Sequence, residues 1–526
     1  MSGNVSRREL AKGGLAAGLT VGALSTGLVA CGSGSDDGTT STGAKAAGGG
    51  SVAPQGPRGT IVIGNAEPPT SAQWDPHAAF GLADYQVWTL VYETLLSYDV
   101  NRRLVGGLAR SWRRLSPTRL RMTLREGARF SDGSPLTSHD VKASVERIAK
   151  PGSDLALAIA LPEGATVEVK DELTFDLVTP DVYGPLENSL VSVSIVSRRD
   201  AANPGAFKQR PLGSGPYTFV GYENNVVTLR ANPGYWGGRP GADGVKIAYI
   251  QDPSARLNAL MTGQIDIYTR ADSIVLDEVR GNPAFNVTDV SPASQFFYIP
   301  QFDTALRDVR VRQAIAYAIP RRAIAQDIMK INPPALSSLP AAAQGFRPLE
   351  PSFDLDVERA KALLAEAGHG DGLTLTLASA NAFQHQERID QLVKSSLEAI
   401  GVTVEIEKLE TGTFRSGYSD YALSMNALGT AGDPSWIFTF FVPPVAKAVL
   451  KWDSQKEFVP LIDAQLQTLG AEREKAIDAA AQYLWENQIF IYLTDDIWYT
   501  VVNSRISDYA RVTTEGEPLL WKARVA

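Results

Sequence analysis

Only one cysteine, Cys31, occurs among the 526 residues. An internal disulfide is therefore excluded, and stability has to come from a packed core. The four histidines, His77, His139, His369 and His385, are scattered, with no pair at metal-ligand spacing. They read as surface or loop positions, and no protein-held metal or cofactor is expected. Beyond the N-terminus no apolar stretch reaches bilayer-spanning length, and no repeat period points to a solenoid. Neither a G-x-S-x-G elbow nor an H-E-x-x-H helix is present, which removes two common hydrolase signatures and leaves no catalytic residue to nominate. What is there is ordinary globular material: 44% hydrophobic residues with 31 prolines and 46 glycines, long enough for about three domains.

The first thirty residues read as an export signal. Ser6-Arg7-Arg8 with Lys12 is similar to a twin-arginine leader, and Leu28-Val29-Ala30-Cys31 looks like a bacterial lipobox, implying cleavage before Cys31 and lipidation of its sulfur. The competing reading is a transmembrane anchor, which needs roughly 20 apolar residues. The uncharged run Gly13 to Ala30 contains five glycines, which add no apolar area and favour the lipoprotein. Residues 31–57 hold almost no large apolar side chain and are expected to be a flexible tether. Because the leader's Arg7, Arg8, Glu9 and Lys12 sum to +2, the chain from Cys31 onward carries −10 against −8 for the whole. Nucleic acid and anionic membrane surfaces are poor partners for such a chain.

Strand and helix signals interleave. Thr60 to Gly64 alternates like a first strand, and Leu120, Met122 and Leu124 alternate in LRMTL. Thr137 followed by Asp140 suggests a capping box ahead of a helix whose Val141, Val145 and Ile148 share one face. Asp308 precedes VRVRQAIAYAI, stopped by Pro320; Asp356 precedes VERAKALLAEA, with Gly368 at its end. A further helix over about 386–400 buries Ile389, Leu392, Val393, Leu397 and Ile400, and after Gly401 the period drops to two in VTVEIEKL. That switch is the helix-to-strand alternation of an α/β lobe.

Taken in order, LREGARFSDGSPLT, GSGPYTFVGYE, NPGYWGG, DPSARLNALMTGQIDI, DVRVRQAIAYAI, ERAKALLAEAG and AGDPSWIF resemble the bacterial extracellular solute-binding proteins of family 5, the peptide- and dipeptide-binding components of ABC importers. The resemblance covers roughly residues 58–526. It implies a two-lobed α/β fold of the periplasmic-binding-protein type with an additional small domain and a ligand site at the interlobe hinge. By analogy lobe I takes residues 58–102, 206–290 and 496–526, the extra domain 103–205, and lobe II 291–495. The strand-turn-helix module at 111–147 is then scaffold, and Ser214 in Gly213-Ser214-Gly215-Pro216 belongs to a tight turn.

The resemblance also places ligand residues. In peptide-binding members the segment before an Asp-Pro pair carries an Asp that pairs with the peptide's α-ammonium and, three residues earlier, a Trp that lines the cavity. Aligned on Asp433-Pro434, those positions hold Thr430 and Ala427. A buried ammonium without its carboxylate costs several kcal/mol, so a ligand lacking a free α-amino group, or one held mainly by hydroxyl and aromatic contacts, is expected, unless the loop has shifted and Asp433 or Asp420 takes over. Pocket walls are expected from Phe80 and Tyr85 in lobe I, from Asn426, Thr430, Asp433 and Trp436 in lobe II, and from Tyr298 near the hinge. The implied partners are a small organic solute or short peptide, ABC permease subunits, and the membrane through a lipid on Cys31, with the protein monomeric on the outer face of the cytoplasmic membrane. A saccharide or metal chelate as ligand, a role feeding a sensor, and an exported hydrolase are the alternatives.

Overall fold

The computed structural model describes residues 59–526 apart from 70–73, 79–81, 511–519 and the single positions 156, 158, 159, 209, 331, 381, 384, 431, 432 and 444. The leader, the tether with Cys31, and Phe80 lie outside the described residues. Among these residues no helix is long and apolar enough to cross a membrane, and no three His, Cys, Asp or Glu side chains come together as a metal site.

Local signals act as their chemistry requires. The Asp140 carboxylate accepts the Thr137 backbone N–H at 2.9 Å and opens the helix Ser138–Ile148. Asp308 and Asp356 each accept a first-turn backbone N–H, at 2.8 and 2.9 Å, and start the helices Val309–Ala318 and Val357–Glu366. Gly368, with φ +84°, sits just past the second of these, where an L side chain would strain the left-handed turn. The helix Gln386–Glu398 buries Ile389, Val393 and Leu397, while Leu392 is only half-buried. Its inner face instead carries Gln386 and Asp390, two polar residues that apolar periodicity could not announce.

One ten-stranded sheet runs through the main body. On one side the parallel strands Gly244–Tyr249, Thr60–Asn65 and Ile267–Ala271 lie together, extended by Val226–Ala231 and Tyr217–Glu223; on the other are the parallel strands Leu373–Ser379, Val402–Lys408 and Leu423–Gly429. Two long antiparallel strands, Phe285–Pro300 and Ile491–Asn503, occupy the middle and belong to both sides. Sixteen residues in extended form span about 50 Å, enough to leave one lobe and enter the next.

A separate four-stranded antiparallel sheet, in the order Ala109–Ser116, Arg119–Leu124, Thr174–Val178, Thr166–Val169, forms the small additional domain with the helix Ser138–Ile148 laid on it. Leu120, Met122, Leu124, Val141, Val145, Ile148, Phe175 and Leu177 make its core. The 111–147 stretch is thus one packed unit. Its tight turn is held by the Ser134 N–H donating to Asp132 at 2.9 Å, with Gly133 at φ +86°.

Two side-chain clusters clamp this domain to the main body. Tyr235 and Trp236 of NPGYWGG both donate to Glu93, and the Arg125 guanidinium lies 4.5 Å over the Trp236 ring. The second clamp corrects half of an expectation, because His77 does lie in a loop but is fully buried and not at the surface. Its Nε2 lies 2.8 Å from the Ser194 carbonyl and its Nδ1 2.9 Å from Arg147 Nη1. A guanidinium can only donate and a carbonyl only accept, so the proton sits on Nε2. Burial first, then the Arg147 charge, push the imidazole down to about 4. Asp75 completes the clamp by pairing with Arg147.

Candidate functional site

The directions of the strands locate the cleft. Thr60–Asn65 and its parallel neighbours run the same way as Phe285–Pro300, whereas Leu423–Gly429 and its parallel neighbours run the opposite way. Since Phe285–Pro300 starts in the first lobe and ends in the second, the carboxyl ends of both parallel sets face each other across its middle. Ligands of open α/β sheets bind outside such ends. The middle is marked by a register shift: Val290 pairs with Trp498, and after the irregularity Ser294 pairs with Asp496 on one side and Gly429 on the other.

Polar groups gather at this crossing. Asn65, at the end of the first strand, bonds to Gln86 and accepts the Thr269 hydroxyl at 2.8 Å. Asp495 and Asp496 are both buried. As neighbours in a strand they point to opposite faces. Asp495 accepts Gln295 Nε2 at 2.8 Å and the Ala341 N–H at 2.9 Å, and burial raises its carboxyl to about 6. Asp496 accepts the Trp498 indole N–H at 2.7 Å, and the Arg270 guanidinium lies 4.3 Å over that indole and 3.9 Å from the carboxylate. Burial raises Asp496 as well, against the pull of Arg270 and the indole.

The residues nominated from sequence fall into three groups. Thr430, Asp433 and Trp436 lie together directly after the strand Leu423–Gly429, and Asn426 sits half-buried within that strand. Thr430 is fully buried, and its hydroxyl has no hydrogen-bond partner among the described residues. Asp433 is committed to Arg473, whose Nη2 lies 2.7 and 2.9 Å from its two oxygens, and it also accepts from Asn188 and Ser435. Burial alone would raise this carboxyl; the Arg473 charge and these hydrogen bonds outweigh it and hold it below the usual range. Trp436 packs into the core of the small domain. Asp420 is exposed, so neither carboxylate named as a replacement for the missing Asp stands both buried and unneutralised.

Tyr85 is half-buried on the helix Leu82–Val91, edge-on to Trp88 at 6.3 Å. Tyr298 stands apart from the cleft residues. It pairs with Met425 and Ile491 inside lobe II, is completely buried, and donates its hydroxyl to Asp390 at 2.5 Å. Arg270, Arg473, Gln295 and the Asp495-Asp496 pair were not foreseen. One signal was available: two adjacent carboxylates interrupt the apolar run IYLTDDIWYTVV, and buried ionisable groups concentrate at functional sites.

Asp390 gives a pH prediction. Burial raises its carboxyl from 3.8 to about 6, so the folded protein keeps a proton that the unfolded chain releases near pH 4. The associated stability is present below about pH 4 and is lost as pH rises through 6, a difference of roughly 2–3 kcal/mol. Asp390→Asn is expected to be more stable than the parent at pH 8 but not at pH 4.5. Urea midpoints at the two pH values check this, and equal differences at both would refute it.

Two lobes joined by strands that pass between them, with a polar cleft at their facing carboxyl ends, define a bilobal binding protein. The particular family follows from comparison: residues 103–449 match the model of the bacterial extracellular solute-binding proteins, family 5, and the chain belongs to that family. It is 24% identical over 480 residues to the probable D,D-dipeptide-binding periplasmic protein DdpA of Escherichia coli, covering 86% of this chain and 92% of the relative. Among solved structures it superposes on the ABC transporter substrate-binding protein CtaP of Listeria monocytogenes with a TM-score of 0.80 at 21% identity, covering 89% of this chain and 99% of the other. The dipeptide-binding protein of a Pseudoalteromonas species, in complex with Met-Leu, gives 0.78 at 20% identity, covering 89% and 100%. The chain is therefore an extracytoplasmic solute-binding component that serves a membrane permease, and not an enzyme.

Proposed function

We propose that this protein captures a peptide-like organic solute between its lobes and hands it to an ABC permease, with Cys31 lipidated and the monomer held at the outer face of the cytoplasmic membrane. In this reading the lobes and small domain divide at the boundaries given above. Tyr85, Asn426 and Thr430 line the cleft together with Phe80, while Asp433 and Trp436 hold the loop that presents Thr430. The observation that carries it is the buried Thr430 hydroxyl, without a hydrogen-bond partner among the described residues, beside the facing strand ends. A buried hydroxyl left unpaired is costly, and a ligand donor or acceptor there removes the cost. An uncharged anchor at this position favours solutes whose amino end is acylated or absent.

Native mass spectrometry of protein purified without refolding tests the ligand class directly. A co-purified peptide-like mass that leaves on denaturation is the expected result; a retained saccharide or metal chelate would replace this reading. Thr430→Asp is expected to tighten binding of an unmodified dipeptide at least tenfold by restoring a carboxylate for its ammonium, and to lower the melting temperature of the empty protein. Unchanged calorimetric affinity would show that position 430 does not meet the ligand's amino end.

A further inference from the structure

Arg270 occupies an unusual place. It lies near the carboxyl end of the strand Ile267–Ala271, the end that faces lobe II, and its backbone has φ +56°. Such a conformation is disfavoured for a side chain longer than Asn, and positions of this kind concentrate where geometry serves function. Lobe II is close by: Asp277, on the helix Ser273–Val279 that follows, lies 3.8 Å from Lys330. The guanidinium rests on the Trp498 ring at 4.3 Å, and Asp496 stands 3.9 Å away, beyond hydrogen-bond distance, with the same Oδ2 accepting the Trp498 N–H. Its side chain is 39% exposed and donates no hydrogen bond among the described residues. The cation is thus held over an aromatic face and near a buried carboxylate while its side chain remains partly exposed. On the opposite side of the cleft, Thr430 supplies no charge.

We propose that Arg270 binds a carboxylate of the solute, so that recognition is anchored at the ligand's acidic end and not at an ammonium. This rests on the peptide-like reading above and adds the charge of the ligand to it. A planar fork of N–H donors matches a carboxylate in two parallel hydrogen bonds, a geometry that lysine reproduces only as a point charge.

The test is titration calorimetry of the full-length protein with two probe pairs: N-acetyl-alanyl-alanine against its C-terminal amide, and glucuronic acid against glucose. The expected result is an acid bound at least tenfold tighter than its amide, a difference abolished in Arg270→Gln and partly kept in Arg270→Lys. Equal binding of acid and amide, or a difference that survives Arg270→Gln, would overturn the role of Arg270 and leave the peptide-like reading standing. Discrimination confined to the sugar pair and lost in Arg270→Gln would support the carboxylate role and remove the peptide-like reading. No binding of any of the four probes at millimolar concentration counts against both.

Discussion

Arg473→Ala is expected to cost about 3–5 kcal/mol of stability, seen as a lower urea midpoint with the largest loss at neutral pH. Arg473 and Asp433 are both buried and touch through two oxygens, and the same carboxylate accepts from Asn188 of the small domain and Ser435 of lobe II. Removing the cation leaves a buried negative charge with only neutral donors. The sign of the pH dependence follows from the pair. In the parent the carboxyl is held low, so its contribution is present above about pH 4 and fades only as acid protonates it. In the variant burial is opposed only by the neutral donors Asn188 and Ser435 and raises the carboxyl relative to the parent, so the deficit should shrink as pH falls toward 4. A deficit independent of pH would mean that lost packing, and not the stranded charge, sets the cost. Because Asn188 links this cluster to the small domain, protease sensitivity at the junction of that domain with lobe II should rise together with the loss.

Gly213→Ala is expected to destabilise by about 4 kcal/mol or more. A Cβ at this position would stand 1.8 Å from the carbonyl oxygen of Val91, and the same carbonyl accepts the Gly215 N–H at 2.9 Å. Val91 is the last residue of the helix Leu82–Val91, so the Gly-Ser-Gly turn satisfies a carbonyl that the helix leaves open. Backbone cannot rotate away as a side chain can, and either the helix end or the turn must move. Ser214→Ala, by contrast, should change stability by less than 1 kcal/mol, since the buried Ser214 hydroxyl has no partner among the described residues. Melting temperatures of the two variants decide the point. A well-folded Gly213→Ala would show that the turn is not held against the helix.

Much of the scaffold was legible because it is specified locally. Thr137 with Asp140, Asp308 and Asp356 act through groups two or three residues away. Periodicity likewise found the buried faces of Arg119–Leu124, where every second residue is buried, and of Val402–Lys408, where Val402 and Val404 are buried and Ile406 half-buried. It overreached at Leu392 and passed over Asp390, because the latter is buried where its helix meets Tyr298 of the long strand Phe285–Pro300. His77 was misplaced for the same reason: what buries it is Arg147 and Ser194 of the neighbouring domain.

The sequence by itself determined the helix starts and stops, the turn at Asp132–Pro135, the strand alternation and, through the order of its motifs, the family. These depend on neighbours along the chain, whose spacing covalent geometry sets. Only the tertiary structure decided that Arg270, Asp496 and Trp498 meet, that Asp433 is neutralised by Arg473, and that Tyr298 belongs to a core and not to the cleft. Those outcomes hang on the register of the two long strands. A one-residue slip turns every side chain of a strand to the opposite face, and the shift between Val290 and Ser294 is fixed by packing across two lobes, not by any signal within the strand.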